Sequence, residues 1–271
     1  MDGAFPWRYL RYERYGHGQG SEVVDGAVVE EGLVRIHVNG VELATFMCTP
    51  YQLEALALGF LRAEGVIQSL DDVRLVVPCP SRTCVDVWLQ RADVPLPQRA
   101  ILTSGCGGGI TFDDLSQRVA PVRSSLQVTP AQIVEGMHQL IAAAALYRQT
   151  RGVHTSALSD GQRLVAVAED VGRHNTLDKL WGYCLLHGID PADHLLLATG
   201  RISSEMLNKA AKMRVPVVAS HTSPTSLSVR LAQEWDILLV GYVRPNGFNV
   251  YAGQWRLLPL PEPSTKGGSL P

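Results

Sequence analysis

A chain of 271 residues with 46% hydrophobic side chains can bury a full core and is long enough for two moderate domains. Its 24 basic and 26 acidic residues leave a net charge of -2, so no global field holds nucleic acid or an anionic membrane, and an anionic ligand must meet local donors. The longest apolar run, Leu140 to Tyr147, is too short to span a bilayer, no apolar segment follows Arg8 and Arg11, and five cysteines without regular spacing suit a reducing compartment, so a cytoplasmic protein is expected.

Residues 1–20 are rich in Tyr, Arg and Gly without periodicity and read as an arm with no assigned role. From Leu33 the pattern alternates: Val34, Ile36 and Val38 point one way, Asn39-Gly40 supplies a two-residue turn, and Val41, Leu43 and Thr45 return as a β-hairpin. Thr49 then reads as an N-cap with Pro50 at the first helical position and Gln52 completing a capping box. Leu53, Leu56, Ala57, Phe60 and Leu61 form the apolar stripe of that helix, and Gly65 ends it. Strands are expected over 73–77 and 85–89. Cys79 and Cys84 flank a four-residue turn; with Cys48 they lack a second ligand pair, so two thiols beside a turn is the reading preferred to a zinc site.

The stretch Thr103-Ser104-Gly105-Cys106-Gly107-Gly108-Gly109 isolates one thiol among four glycines. Glycines leave the sulfur uncovered and let successive N–H groups turn toward it, which favours a nucleophilic thiolate; the competing reading is a flexible turn around an inert cysteine.

Residues 121–127 read as a linker, dividing the chain into an α+β domain over 1–127 and an α/β domain over 128–271. Thr129-Pro130 starts a helix over about 130–149 with the stripe Ile133, Met137, Leu140, Ile141 and Ala144. Strands over 153–159 and 162–169 precede a helix that turns Leu177, Leu180, Trp181, Cys184 and Leu185 to one face, which places Cys184 in the core. A strand over 195–199, a helix over 203–213, a strand over 215–220, a helix over 224–234 and a strand over 237–243 complete an α/β layered sheet that is at least partly parallel. Ligands on such sheets bind at the carboxyl ends of strands. Polar clusters lie there: Glu169-Asp170-Val171-Gly172-Arg173-His174-Asn175, Thr199-Gly200-Arg201-Ile202-Ser203-Ser204-Glu205 and Ser220-His221-Thr222-Ser223.

Arg173 and Arg201 sit at helix starts, where N–H groups and a bidentate cation suit phosphate; Arg173 is also open to orienting the thiol, and Arg201 to a carboxylate partner beside an ordinary Ser203 N-cap. His174 fits either an anion contact or a brace for its turn. His154 fits a general base for Cys106 or a hydrogen-bonded core histidine. Tyr242-Val243-Arg244-Pro245-Asn246-Gly247 reads as the end of a strand and a Pro-Asn-Gly turn leading to Phe248-Asn249-Val250-Tyr251.

On Ala57-Leu58-Gly59-Phe60 with Glu64-Gly65, Gly105-Cys106-Gly107, Glu169 to His174 with Leu177-Asp178-Lys179, Ser203-Ser204-Glu205-Met206, and Leu239-Val240-Gly241 with Val250-Tyr251, the chain resembles the FdhD family of formate dehydrogenase accessory proteins. The resemblance implies a sulfurtransferase that accepts sulfane sulfur from a cysteine desulfurase as a persulfide on Cys106. It would deliver that sulfur to molybdenum or tungsten bis(molybdopterin guanine dinucleotide) before the cofactor enters formate dehydrogenase. Tyr242, Val243, Arg244, Pro245, Asn246 and Gly247 would border the cofactor site, with Arg173, His174, Arg201 and His154 counted beside them and GDP as a surrogate ligand. A homodimer, no bound zinc, and no nucleic-acid or membrane partner are expected. Similar proteins often carry a second cysteine three positions after the first, where this chain has Gly109.

The second domain also resembles the cytidine deaminase fold. Zinc deaminases need a His or Cys with Glu at one helix start and cysteines at the next, whereas Gly172-Arg173-His174-Asn175 and Arg201-Ile202-Ser203-Ser204 contain no cysteine, so deamination is not expected. Two other classes remain beside sulfur transfer: a non-catalytic chaperone for the cofactor or for apo-formate dehydrogenase, and a cysteine hydrolase using Cys106, His154 or His174, and Asp170.

Overall fold

The structure, a computed structural model, describes residues 5–17, 20–93, 101–102, 110–111 and 119–259. The Tyr- and Arg-rich start, read as an arm without periodicity, forms a long ribbon: β1 (Trp7–Gly16) pairs antiparallel with β2 (Gly20–Val29) from Trp7 opposite Val29 to Gly16 opposite Gly20. Tyr9, Tyr12, Tyr15 and Val23 stay exposed, so the ribbon lacks the one-sided burial that writes an alternating pattern into a strand.

The hairpin follows as β3 (Gly32–Val38) and β4 (Val41–Cys48), with Asn39 and Gly40 both at positive φ, 49° and 83°, as a tight primed turn requires. With β5 (Val73–Pro78) and β6 (Cys84–Leu89) it builds a four-stranded sheet in the order β4-β3-β6-β5. Val34, Ile36, Val38, Val85 and Val87 line its inner face against α1 (Leu53–Ala63). That helix starts later than expected. Gln52, at φ 54°, precedes it without a side-chain cap, and the Thr49 hydroxyl is engaged elsewhere, accepting from the Val171 N–H at 3.2 Å.

β7 (Ile101–Leu102) and β8 (Ile110–Thr111) form a short antiparallel pair. Cys106 and its glycines lie outside the described residues. Residues 121–127 carry no regular structure and are tied down: the fully buried Arg256 donates to the carbonyls of Val122, Ser124 and Leu126 at 3.2, 2.8 and 3.2 Å.

Thr129 and Gln132 make a reciprocal capping box ahead of α2 (Pro130–Ala143). The expected single helix over 130–149 breaks at Ala144, whose ψ of 73° leaves the helical region, and resumes as α3 (Ala145–Thr150). Ile133, Met137, Leu140 and Ala144 are buried as the stripe requires, whereas Ile141 is exposed. The chain continues through β9 (His154–Ser159), β10 (Leu164–Asp170), α4 (Arg173–His187), β11 (Leu195–Ala198), α5 (Ser204–Lys212), β12 (Val217–Ser220), α6 (Ser226–Glu234), β13 (Leu238–Arg244) and β14 (Gly247–Ala252). The six strands order as β10-β9-β11-β12-β13-β14, with β11, β12 and β13 mutually parallel and the remaining pairs antiparallel. Both faces are covered: Leu177, Leu180, Trp181, Cys184, Met206, Leu207 and Trp235 fill one core, and the α2 stripe packs on Leu195, Leu197, Val217 and Val240 in the other. The molecule is thus a mixed α/β protein.

α1 and α4 join the two sheets. They cross where Gly59 meets Gly182: a Cβ on Gly59 would land on the Asp178 carbonyl, and one on Gly182 on the Ala55 carbonyl. Only hydrogen side chains allow this approach. Among the described residues no helix is long and apolar enough to cross a membrane.

Candidate functional site

The carboxyl ends of β10, β11, β12 and β13, together with the start of the antiparallel β9, lie along one edge of the six-stranded sheet. This register gathers the polar clusters that are distant in sequence. His154 stands opposite Asp170, and the Ala198 carbonyl accepts from the His221 N–H at 3.0 Å. A cavity of about 580 Å³ opens there, lined by Tyr147, Arg151, Val153, His154, Thr199 and His221 among others.

Gly200 brings His154 and Arg173 together. A Cβ at that position would lie 3.1 Å from Arg173 Cβ and 3.2 Å from His154 Nδ1. Burial lowers the His154 pKa, with the Arg173 charge adding to the effect and Asp170 opposing it. Burial followed by the Arg244 charge does the same to His221. Both imidazoles are therefore neutral near pH 7, each with a free lone pair to accept a proton or a hydrogen bond. The cations that depress them, Arg173 and Arg244, stand at the edge where α4 and α5 begin, and helix starts favour anions.

Arg244 is exposed and donates through Nη1 to the carbonyls of His221 and Val243 at 2.6 and 2.8 Å. Pro245-Asn246 is a two-residue turn that passes to Gly247 at the head of β14, and both residues are exposed. Tyr242 sits at φ 55° in an irregular stretch of β13; its ring is exposed and its N–H donates to the Thr222 carbonyl at 3.0 Å. The Val243 side chain points into the core, which leaves only its backbone to the surface. Arg201 is exposed two residues before the Ser203 cap of α5.

His174 faces away from the cavity. Its Nδ1 lies 3.0 Å from Glu205 Oε2 and its Nε2 3.2 Å from Ser203 Oγ, so the buried ring braces α4 against α5. Asp170 turns inward as well: Oδ1 accepts from the Gly172 N–H at 2.8 Å and from Asn175 Nδ2 at 2.9 Å, while Oδ2 accepts from the Thr49 N–H at 3.1 Å. Lys179 Nζ donates to the carbonyls of Thr49 and Glu169 at 3.0 and 3.3 Å. Asn175 Nδ2 also donates to the Met47 carbonyl at 2.9 Å. Much of the Glu169 to Lys179 stretch is therefore a clasp between the sheets, not a binding surface.

His221, Tyr147 and Arg151 line the cavity without having been singled out from the sequence as binding residues. The polar Ser220 to Ser223 cluster marked the neighbourhood of His221. Nothing marked Tyr147 and Arg151, four residues apart at the end of α3, with the guanidinium 5.2 Å from the Tyr147 ring. Among the described residues no group of three or more His, Cys, Asp and Glu is arranged to hold a metal ion.

The model of the FdhD/NarQ family matches residues 29–258. The chain belongs to the FdhD/NarQ family. Sulfur carrier protein FdhD from Staphylococcus aureus strain MRSA252 is 38% identical over 250 residues, covering 90% of this chain and 94% of that protein. The protein of the same name from strain bovine RF122 / ET3-1 is 37% identical over the same shares. The crystal structure of a candidate formate dehydrogenase accessory protein from Desulfotalea psychrophila superposes with a TM-score of 0.76 at 28% identity, over 93% of this chain and 100% of the other. The match to the FdhD/NarQ model begins where β2 ends, so it takes in both larger sheets and the Cys106 stretch and leaves out β1.

Proposed function

We propose that this FdhD/NarQ member is a sulfur carrier that serves formate dehydrogenase, with Cys106 as its persulfide residue. The supporting observation is its 38% identity to a protein named as a sulfur carrier, extending over 94% of that protein. The Cys106 thiolate attacks the terminal sulfur of a desulfurase persulfide, forming Cys106–S–SH and releasing the desulfurase thiolate. Delivery to a metal as sulfide then takes two electrons from a thiol reductant and restores the Cys106 thiolate. The substrate we assign is the molybdenum or tungsten bis(molybdopterin guanine dinucleotide) cofactor. Its diphosphates suit Arg201 and Arg244, both exposed at the carboxyl-end edge of the six-stranded sheet in a nearly neutral protein, whereas Arg173 is buried at the start of α4. A single carrier thiol suffices for this chemistry, so Gly109 in place of a second loop cysteine is no obstacle.

Mass analysis after incubation with a cysteine desulfurase and cysteine tests the reading. The peptide containing Cys106 should gain one sulfur atom that thiol reduction removes. Absence of that adduct, with GDP still bound, would replace the carrier by a chaperone for the cofactor.

A further inference from the structure

A second pair of thiols lies on the four-stranded sheet. Pro78 pairs with Val85 at the end of the β5–β6 ladder, which puts Cys79 directly across from Cys84, and the Cys79 N–H donates to the Cys84 carbonyl at 2.9 Å. Residues opposed across an antiparallel pair have Cα atoms about 4.5–5.5 Å apart, inside the range a disulfide spans. The turn between them diverts the usual return bond. Arg82, at φ 57°, donates its N–H to the Cys79 carbonyl at 2.9 Å, so the Cys84 N–H is left to point at Cys79 Sγ, 3.0 Å away. Ser81 Oγ lies 3.2 Å and Thr83 Oγ1 3.8 Å from the same sulfur. One backbone donor and two hydroxyls thus converge on a half-buried thiol beside a second thiol.

We propose that Cys79 and Cys84 are a reactive dithiol, with Cys79 the attacking thiolate and Cys84 the resolving thiol toward low-molecular-weight disulfides. The Cys79 thiolate attacks one sulfur of the small disulfide, forming a mixed disulfide and releasing one small thiolate. The Cys84 thiol loses its proton to solvent and attacks Cys79 Sγ, which closes the Cys79–Cys84 bond and expels the second small thiolate. The pair loses two electrons and the small disulfide gains them. Burial works against the Cys79 thiolate, but hydrogen bonds from Cys84, Ser81 and Thr83 outweigh it and hold the pKa at about 6. The bond to Cys79, aided by burial, raises Cys84 to about 11, as suits a thiol that reacts second. The buried Cys48 and Cys184, both pushed up to about 12 by burial, stay out of the exchange.

Oxidised glutathione is the probe, applied to the full chain after reduction, with peptide mass mapping as the readout. The unaltered protein should lose two hydrogens in a Cys79–Cys84 disulfide, and Cys84→Ser should instead accumulate glutathione on Cys79. Cys79→Ser should leave Cys84 unmodified. Alkylation of Cys79 should be half-maximal near pH 6, and Ser81→Ala with Thr83→Ala should move that midpoint upward. A glutathione adduct persisting on Cys79 in the unaltered chain, a disulfide from Cys79 to Cys106, or an alkylation midpoint at the ordinary thiol value would each overturn the proposal. Formate dehydrogenase takes no part in these measurements, so they stand or fall independently of the sulfur-carrier reading.

Discussion

Lys179 Nζ lies 2.6 Å from Asp170 Oδ2 with both side chains fully buried, and Thr49 closes the arrangement from the opposite sheet by donating to the carboxylate and accepting from the ammonium. An ion pair of this kind adds little over apolar packing, but losing one partner strands the other charge away from water. Lys179→Met should therefore lower stability by about 3–5 kcal/mol in urea unfolding. A loss below about 1 kcal/mol would mean that the site admits water and does not clasp the sheets.

Gly182 supplies a test of opposite sign to its propensity. Alanine in place of glycine inside an exposed helix ordinarily stabilises by about 0.5–1 kcal/mol. At Gly182 the added methyl meets the Ala55 backbone, so Gly182→Ala should destabilise by roughly 3 kcal/mol or more, and Gly59→Ala likewise. Thermal unfolding of both variants measures this.

Stability should also fall in mild acid. The folded-state pKa of His154 is lowered from 6.5, chiefly by burial, and His221 shifts the same way. Between the lowered value and 6.5 the unfolded chain holds more protons than the folded one, so stability rises with pH across that window. Acidification removes it as the unfolded histidines protonate, and the loss levels off once the folded rings do too. Urea midpoints at about pH 7.5 and about pH 5.5 should differ less in His154→Gln than in the unaltered protein.

Cysteine variants separate chemistry from packing. Cys106→Ala should abolish maturation of formate dehydrogenase in a host without its own FdhD protein, while the purified variant unfolds at the unaltered midpoint. Cys184 is fully buried, and Cys184→Ala should cost a few tenths to about 2 kcal/mol and leave maturation intact. Full maturation by the Cys106 variant would exclude it as the carrier.

Guanine nucleotides probe the edge of the six-stranded sheet. GDP should bind and ADP bind more weakly, because a donor and acceptor pattern suited to one base is left unpaired by the other. Arg244→Ala combined with Asn246→Ala should weaken GDP binding in calorimetric titration without changing sulfur loading of Cys106. Unchanged affinity would remove the Pro245-Asn246 turn from the site.

Features set by neighbours in sequence were legible. Asn39-Gly40 makes its turn from local backbone preference, Thr129 with Gln132 caps its helix, and Cys184 lies on a helical face whose spacing marks it as core. Features set by partners far along the chain were not. Thr49 looks like a cap because nothing nearby reveals that Val171 will occupy its hydroxyl, and His174 looks available because Glu205 and Ser203 reach it only after folding. The strand ends were readable as the place where the polar clusters gather. Which side chains face the cavity was not, since that depends on the direction of each chain as it leaves the sheet. β1 escaped notice for a different reason: with both faces wet, it has no pattern to display.

The crossing of α1 and α4 also bears on how the protein is made. Gly59 leaves the ribosome 123 residues before Gly182. At roughly 5–20 residues per second, α1 waits about 6–25 s for the helix that covers it. Leu53, Ala55 to Leu61 and Ala63 are all buried in the finished protein, so α1 is apolar over all but the Glu54 and Arg62 positions, and the four-stranded sheet shields only part of it meanwhile. The nascent chain thus presents a greasy helix with a notch at Gly59 during much of its synthesis. Recovery of soluble protein should therefore respond to chaperone supply and to elongation speed even among variants of equal final stability.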